Sequence, residues 1–237
     1  MQAGTIETIW RYPVKSLAPE ALASADVAAD GIAGDRTAAL LVATLDHART
    51  GKPLRGKESN RLHLAADLAA GIATASRAGV DVRLAAGERF FDARPISLIF
   101  DTWIADVAAL AGRSIDPQRY RPNLLAKAAP GFTLREPALV GRALAIGTVR
   151  LRVTDTIGRC VTTTYDVHTG DPDPNVLRVV AQQRANTVGI YCTVERPGRI
   201  STGEPVVLLE EPLQQTAAFD GFGERDLVGV VEFAADR

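Results

Sequence analysis

Only two cysteines, Cys160 and Cys192, occur among the 237 residues. Two thiols cannot build a disulfide framework, and without a Cys-x-x-Cys pair there is no nucleus for a structural zinc site. Histidine is almost as scarce: His47, His63 and His168 stand far apart, without the close spacings that zinc sites use. Lys+Arg 27 against Asp+Glu 28 leaves no excess of positive charge, so neither nucleic acid nor an anionic membrane is expected as a partner. No apolar run approaches the ~20 residues of a membrane span. The opening stretch MQAGTIETIWRYPVKS lacks the basic segment, apolar core and small-residue cleavage site of a secretion signal. These absences lead to the expectation of a soluble cytoplasmic protein whose thiols are free.

What is present is globular in character. Hydrophobic residues make up 46% of the chain and its length can bury a sizeable core, in one large domain or two small ones packed together. The first third reads as short strands, TIETIWRYPV, ASADVAADGI and DRTAALLVA, separated by proline and glycine breaks. DVRLAAGERFFD suggests a hairpin around Ala86-Gly87. SLIFDTWIADVAALAGR has helical spacing, with Asp101 or Thr102 as N-cap and Gly112 as the stop. Beyond it, YRPNLLAKA, RALAIGTVRLRVTDT, TVGIYCTVE and EPVVLLE read as strands. One more helical stretch, NVLRVVAQQ, follows Asp171-Pro-Asp-Pro174. Alanine around 65–75 blurs any assignment there, and the residues from Pro212 onward read as an appended extension.

The two cysteines have different surroundings. Cys192 shares one face of a strand with Ile190 and Val194, as a thiol packed like a small hydrophobe does. Cys160 in GRCVTTT follows a glycine at the end of a strand-like run and precedes three threonines, with Arg159 positioned to favour its thiolate. An inert, half-buried thiol is the alternative at that point. A cysteine hydrolase using His168 as base is a weaker one, because TYDVHTGDPDP reads as a solvated turn. Asp171, Asp173 and Asn175 suit helix capping better than calcium binding. Basic residues also stand at chain breaks, Lys15, Arg36 and Arg121, and with Arg159 they could gather around an anion.

Five motifs then occur in order: WRYPVKS (10–16), GDR (34–36), RYRPN (119–123), GRCVTTT (158–164) and GIYCTVERPGRISTGEPV (189–206). Together they resemble the MOSC-domain proteins that carry an N-terminal MOSC β-barrel. That family includes the mitochondrial amidoxime-reducing component, its bacterial relatives and the C-terminal region of molybdenum cofactor sulfurase. The resemblance implies a β-rich α+β fold, an N-terminal β-barrel-like domain (1–96) packed on a MOSC β-barrel domain with a few helices (97–211), followed by the extension 212–237. It implies molybdenum cofactor, a pyranopterin dithiolene, with Cys160 as the protein ligand to molybdenum and the catalytic residue. Lys15, Ser16, Arg36, Arg121, Asn123 and Arg159 would bind the pterin and its phosphate, with Tyr191 near them.

The implied activity is reduction of N-hydroxylated compounds (amidoximes, hydroxylamines, N-oxides) by removal of oxygen. The alternative is a cofactor-binding or sulfur-carrier protein using a persulfide on Cys160. A plant-type iron–sulfur cluster needs four cysteines, so a reductase of this composition is expected to draw electrons from a separate protein: a ferredoxin, a flavin reductase or a cytochrome-b5-like donor.

Overall fold

Runs rich in Val, Ile, Leu and Thr supply thirteen strands, and three amphipathic stretches supply the helices, over residues 1–210 apart from Asp46 and Asn60. These are the residues that the computed structural model describes. The expected extension 212–237 lies outside them. In the first part are β1 (Gln2–Arg11), β2 (Glu20–Leu22), β3 (Ser24–Ala28), β4 (Gly31–Ile32), β5 (Ala38–Val42), helix α1 (Leu68–Arg77) and β6 (Val82–Ala86). There follow β7 (Ile96–Phe100), helix α2 (Asp101–Ala111), β8 (Leu124–Ala128), β9 (Ala143–Ile146) and β10 (Val149–Gly158). Helix α3 (Pro174–Gln183), β11 (Thr187–Arg196), β12 (Gly198–Ser201) and β13 (Pro205–Leu208) complete the order.

Seven strands close a barrel in the order β13-β9-β10-β11-β7-β8-β1, with β1 returning to pair with β13. Closure removes the unpaired edges that an open sheet would present. All neighbours are antiparallel except β7 and β8, whose parallel pairing is spanned by α2. That arrangement explains the unbroken apolar run of β7, which is buried at every position: one face meets the barrel interior and the other meets α2. Ile6, Ile9, Leu98, Leu124, Leu144, Val153, Ile190 and Cys192 belong to the barrel core.

The remaining N-terminal strands form two small sheets, β12-β3-β4 and β5-β6. Under α1 lies a second core of Leu17, Leu40, Val42, Leu54, Leu62 and Ala75. The expected division after residue 96 falls inside β7, and β1 sits in the same barrel as the strands beyond it. The reason is that β1 pairs with β8 on one side and β13 on the other.

Two local expectations need correction. β6 pairs with β5 over its whole length, so no hairpin forms around Ala86-Gly87. Asp101 is the first residue of α2 rather than its N-cap; its carboxylate accepts from the N–H of Thr102 and of Ala128, 2.8 Å each, and ties the helix to β8. Asp67 and Asp173 do cap α1 and α3, accepting from Ala70 N and Asn175 N.

Candidate functional site

Strand β10 ends at Gly158, and the next residue is clamped from both directions. Arg159 N donates to Asn186 O at 2.9 Å, and Asn186 Nδ2 donates to Arg159 O at 3.0 Å. The chain then turns through a short 3-10 segment, Val161–Thr164, with Cys160 extended at its head. The threonine run fastens the turn to itself: Thr163 N and Oγ1 both donate to Cys160 O, and Thr164 Oγ1 donates to Val161 O. Cys160 is thus exposed at a fixed backbone position, whereas Cys192 is 0% exposed in the barrel core, where burial pushes its thiol up to about 12. Of the two thiols, only Cys160 is accessible for chemistry.

Cys160 opens on a cavity of about 250 Å³, and all the residues that the resemblance implies for the cofactor line it: Lys15, Ser16, Arg36, Arg121, Asn123, Arg159, Cys160 and Tyr191. They arrive from the loops after β1, before β5, before β8 and after β10, and from β11 itself. Tyr12, buried beneath, organises two of the cations. The Arg121 and Arg36 guanidinium carbons stand 4.3 and 4.6 Å from its ring centre, and its hydroxyl donates to Pro122 O. Arg159 lies over Tyr120 at 5.0 Å and donates to Val188 O and Tyr120 O.

The charge balance is uneven. Lys15 pairs with Asp92, Arg36 with Asp35 at 2.5 Å, Arg55 with Glu58 at 3.1 Å, Arg94 with Asp155 at 3.2 Å and Arg119 with Asp166 at 2.8 Å. Among the described residues no carboxylate pairs with Arg121 or Arg159, whose partners are backbone carbonyls and aromatic rings. Burial pulls both guanidiniums down to about 10, so they stay charged at neutral pH without a counter-ion. Two half-buried cations beside an accessible thiol offer positive charge to an anion and a soft donor to a metal.

Asn123 lines the cavity, but its carboxamide is already engaged. Oδ1 accepts from Ser97 N at 3.1 Å, Ser97 Oγ at 3.0 Å and Arg36 at 3.4 Å, while Nδ2 donates to Trp10 O. It is a post that holds Arg36. Ser16 Oγ likewise donates to Leu54 O at 3.0 Å, leaving its oxygen to accept. Burial, with Asp92 nearby, raises the Tyr191 phenol above its ordinary range.

Several lining residues had no reading as site residues in the sequence. Arg119, Tyr120, Thr162 and Thr163 lie inside motifs already quoted, Asp92 and Ser97 lie in stretches read for secondary structure alone, and His63 was weighed only against zinc. His63 Nε2 donates to Asp166 O at 2.7 Å, leaving Nδ1 buried without a hydrogen-bond partner among the described residues. His168, the base of a conceivable hydrolase, is 79% exposed, faces Asp116 and lies off the cavity. Among the described residues no group of three or more His, Cys, Asp or Glu could hold a metal ion by itself.

Residues 81–207, more than half of the chain, match the model of the MOSC domain. The chain belongs to the MOSC-domain family. MOSC domains are generally associated with binding of the molybdenum cofactor. Among solved structures, this MOSC protein resembles the YuaD protein from Bacillus subtilis at 18% identity and a TM-score of 0.53, over 86% of this chain and 94% of that one. It also matches YiiM from Escherichia coli, at 12% identity and a TM-score of 0.45, over 88% of this chain and 71% of that one. At 18% identity the likeness to YuaD is one of fold. Comparison with curated proteins gives no match. Among the described residues of the MOSC protein, no helix is long and apolar enough to cross a membrane.

Proposed function

We propose that this chain is a molybdenum-cofactor-dependent oxidoreductase that removes oxygen from N-hydroxylated compounds: amidoximes, hydroxylamines and N-oxides. The observation that supports it most is the accessible Cys160 thiol on the same cavity as two half-buried guanidiniums that pair with no carboxylate among the described residues. Cys160 would ligate molybdenum. Arg121 and Arg159, with Arg36 and Lys15, would hold the phosphate, and the Ser16 oxygen and Tyr191 would face the pterin. When bound, the cofactor supplies two-electron oxygen-atom transfer. The reaction consumes the N-hydroxylated compound, two electrons and two protons, and releases the amine or amidine and water.

The chain's own part is to fix the ligand sulfur through the threonine-fastened turn and to neutralise the anionic tail. Electrons would come from a separate donor protein. A second reading, in which Cys160 carries a persulfide sulfur for cofactor chemistry, is favoured by the exposure of the thiol at the head of its turn.

The test is to express the protein in cells competent for cofactor synthesis, measure molybdenum and pterin, and assay benzamidoxime, hydroxylamines and N-oxides with an artificial reductant. Near-stoichiometric metal and turnover are expected. Cys160→Ala should lose both with the fold unchanged, and Arg121→Ala should lower pterin content, since a charge-assisted contact contributes ~1.5–3 kcal/mol. Full metal loading without turnover on any of these substrates would overturn the reductase reading. A persulfide on Cys160 after incubation with a cysteine desulfurase, without stable molybdenum, would establish the second.

A further inference from the structure

A second and larger cavity, about 990 Å³, lies between α1 and α3 on the far side of the 161–164 turn. Its walls are mostly carbon: Ala78 past the end of α1, Leu177 and Ala181 on α3, Pro174 at the start of α3, and Val161 on the turn itself. Val161 is 40% exposed there, one residue from Cys160. The two cavities share a wall, because Gly56 and Thr162 line the smaller one while Lys57 and Val161 line the larger. That wall is tight. A Cβ on Gly56 would stand 2.9 Å from Thr162 Cγ2, so the loop before α1 rests directly on the turn that presents the thiol.

The rim of this cavity is cationic: Lys57, Arg61, Arg77 and Arg178 line it. The one acid among its lining residues, Glu58, already pairs with Arg49 at 2.9 Å and with Arg55 at 3.1 Å. Arg61 reaches an exposed Asp171 only at 3.8 Å, and Arg178 donates to the neutral Asn175 Oδ1. Single exposed cations are ordinary, but four around one apolar cleft select a ligand that is greasy in its body and negative at its end. The volume is at the upper end of small-molecule sites, ~300–1,000 Å³.

We propose that this cleft binds an amphipathic anion, an aliphatic or aromatic body ending in a carboxylate. The cleft is separate from the Cys160 cavity, divided from it by the Gly56–Thr162 contact, so its ligand does not meet the thiol. Body and charge are recognised by different walls: carbon against α3 and Val161, carboxylate against Arg77, Arg61 and Arg178. Electrostatic recognition at an exposed rim weakens with salt, whereas apolar packing does not.

Binding by the cofactor-free chain tests the site independently of the chemistry. Decanoate and uncharged decanamide are titrated by calorimetry into the native chain, Arg77→Glu/Arg178→Glu and Ala181→Trp. Decanoate should bind at least tenfold more tightly than decanamide, the double charge reversal should remove that preference, and Ala181→Trp should weaken both ligands. All three positions are exposed, so unfolding temperatures should stay close to native. No saturable binding, or equal binding of acid and amide, overturns the site.

Discussion

Cys160 and Cys192 illustrate what single residues reveal on their own. Alternation with Ile190 and Val194 is enough to place Cys192 inside a strand, and the structure finds it fully buried. The company of Cys160, a glycine before Arg159 and threonines after, marks the end of a strand, which is found; its exposure, against the half-buried alternative, came from the structure. The backbone of the cationic residues was not legible. Ser16, Arg36 and Arg121 have φ values of 71°, 49° and 51°, in the left-handed region where glycine or asparagine is usual. Nothing in their side chains announces it; long-range bonds impose it, among them Arg36 N donating to Tyr12 O at 2.6 Å. Such strain persists where the surroundings over-determine it, which is common at functional sites. Arg121→Gly should therefore keep more stability than Arg121→Ala, by roughly 1 kcal/mol, because only the alanine retains the left-handed penalty. Urea unfolding of the two variants measures it. Equal midpoints would mean that the backbone relaxes once the guanidinium is gone.

At the scale of elements, features with local causes were readable. Gly112 at φ 68° ends α2, and Asp173 caps α3. RALAIGTVRLRVTDT folds into the antiparallel pair β9–β10. The segment around Ala86-Gly87 was misread because a hairpin turn and a strand end look alike locally, and the partner of β6 lies far back in the chain at β5. Close approach between elements was equally invisible in the one-dimensional pattern. On β11, Gly189 has φ 89°, and a Cβ there would stand 2.7 Å from Ile99 Cγ1 and 3.0 Å from Arg159 Nη2. A side chain would wedge β11 from β7 and displace the guanidinium that Val188 O holds. Gly189→Ala should cost about 2–4 kcal/mol, from overpacking and backbone strain together. It should also reduce pterin retention, which a purely structural loss at a distant strand would not do at temperatures where the chain stays folded. Thermal unfolding and pterin content on one preparation separate the two effects.

The whole molecule depends on a strand from the opening of the chain. β1 lies between β8 and β13, with bonds to both, and contributes Ala3, Ile6, Ile9 and Trp10 to the barrel core. The residues that match the MOSC model begin at 81, so that span by itself lacks the strand that closes the barrel. The division after residue 96 comes from the resemblance, which implies two domains in succession. Strand pairing over long separations leaves no local mark, and the part of β1 in closing the barrel became visible only in three dimensions. The energetic consequence is large. Burial contributes ~1.5–3 kcal/mol for a side chain the size of isoleucine. Loss of Ile6, Ile9 and Trp10 together therefore approaches the 5–15 kcal/mol by which a typical domain is stable. The edges of β8 and β13 would also lose their partner. A chain beginning at residue 81 should accordingly show no cooperative thermal transition by circular dichroism and poor dispersion of its amide resonances. Adding residues 1–80 as a separate polypeptide should restore both, because the missing strand can pair from outside the chain. A cooperative transition from the shortened chain alone would show that the barrel closes without β1, and with it would go the account of how the Lys15 and Ser16 loop is brought to Cys160.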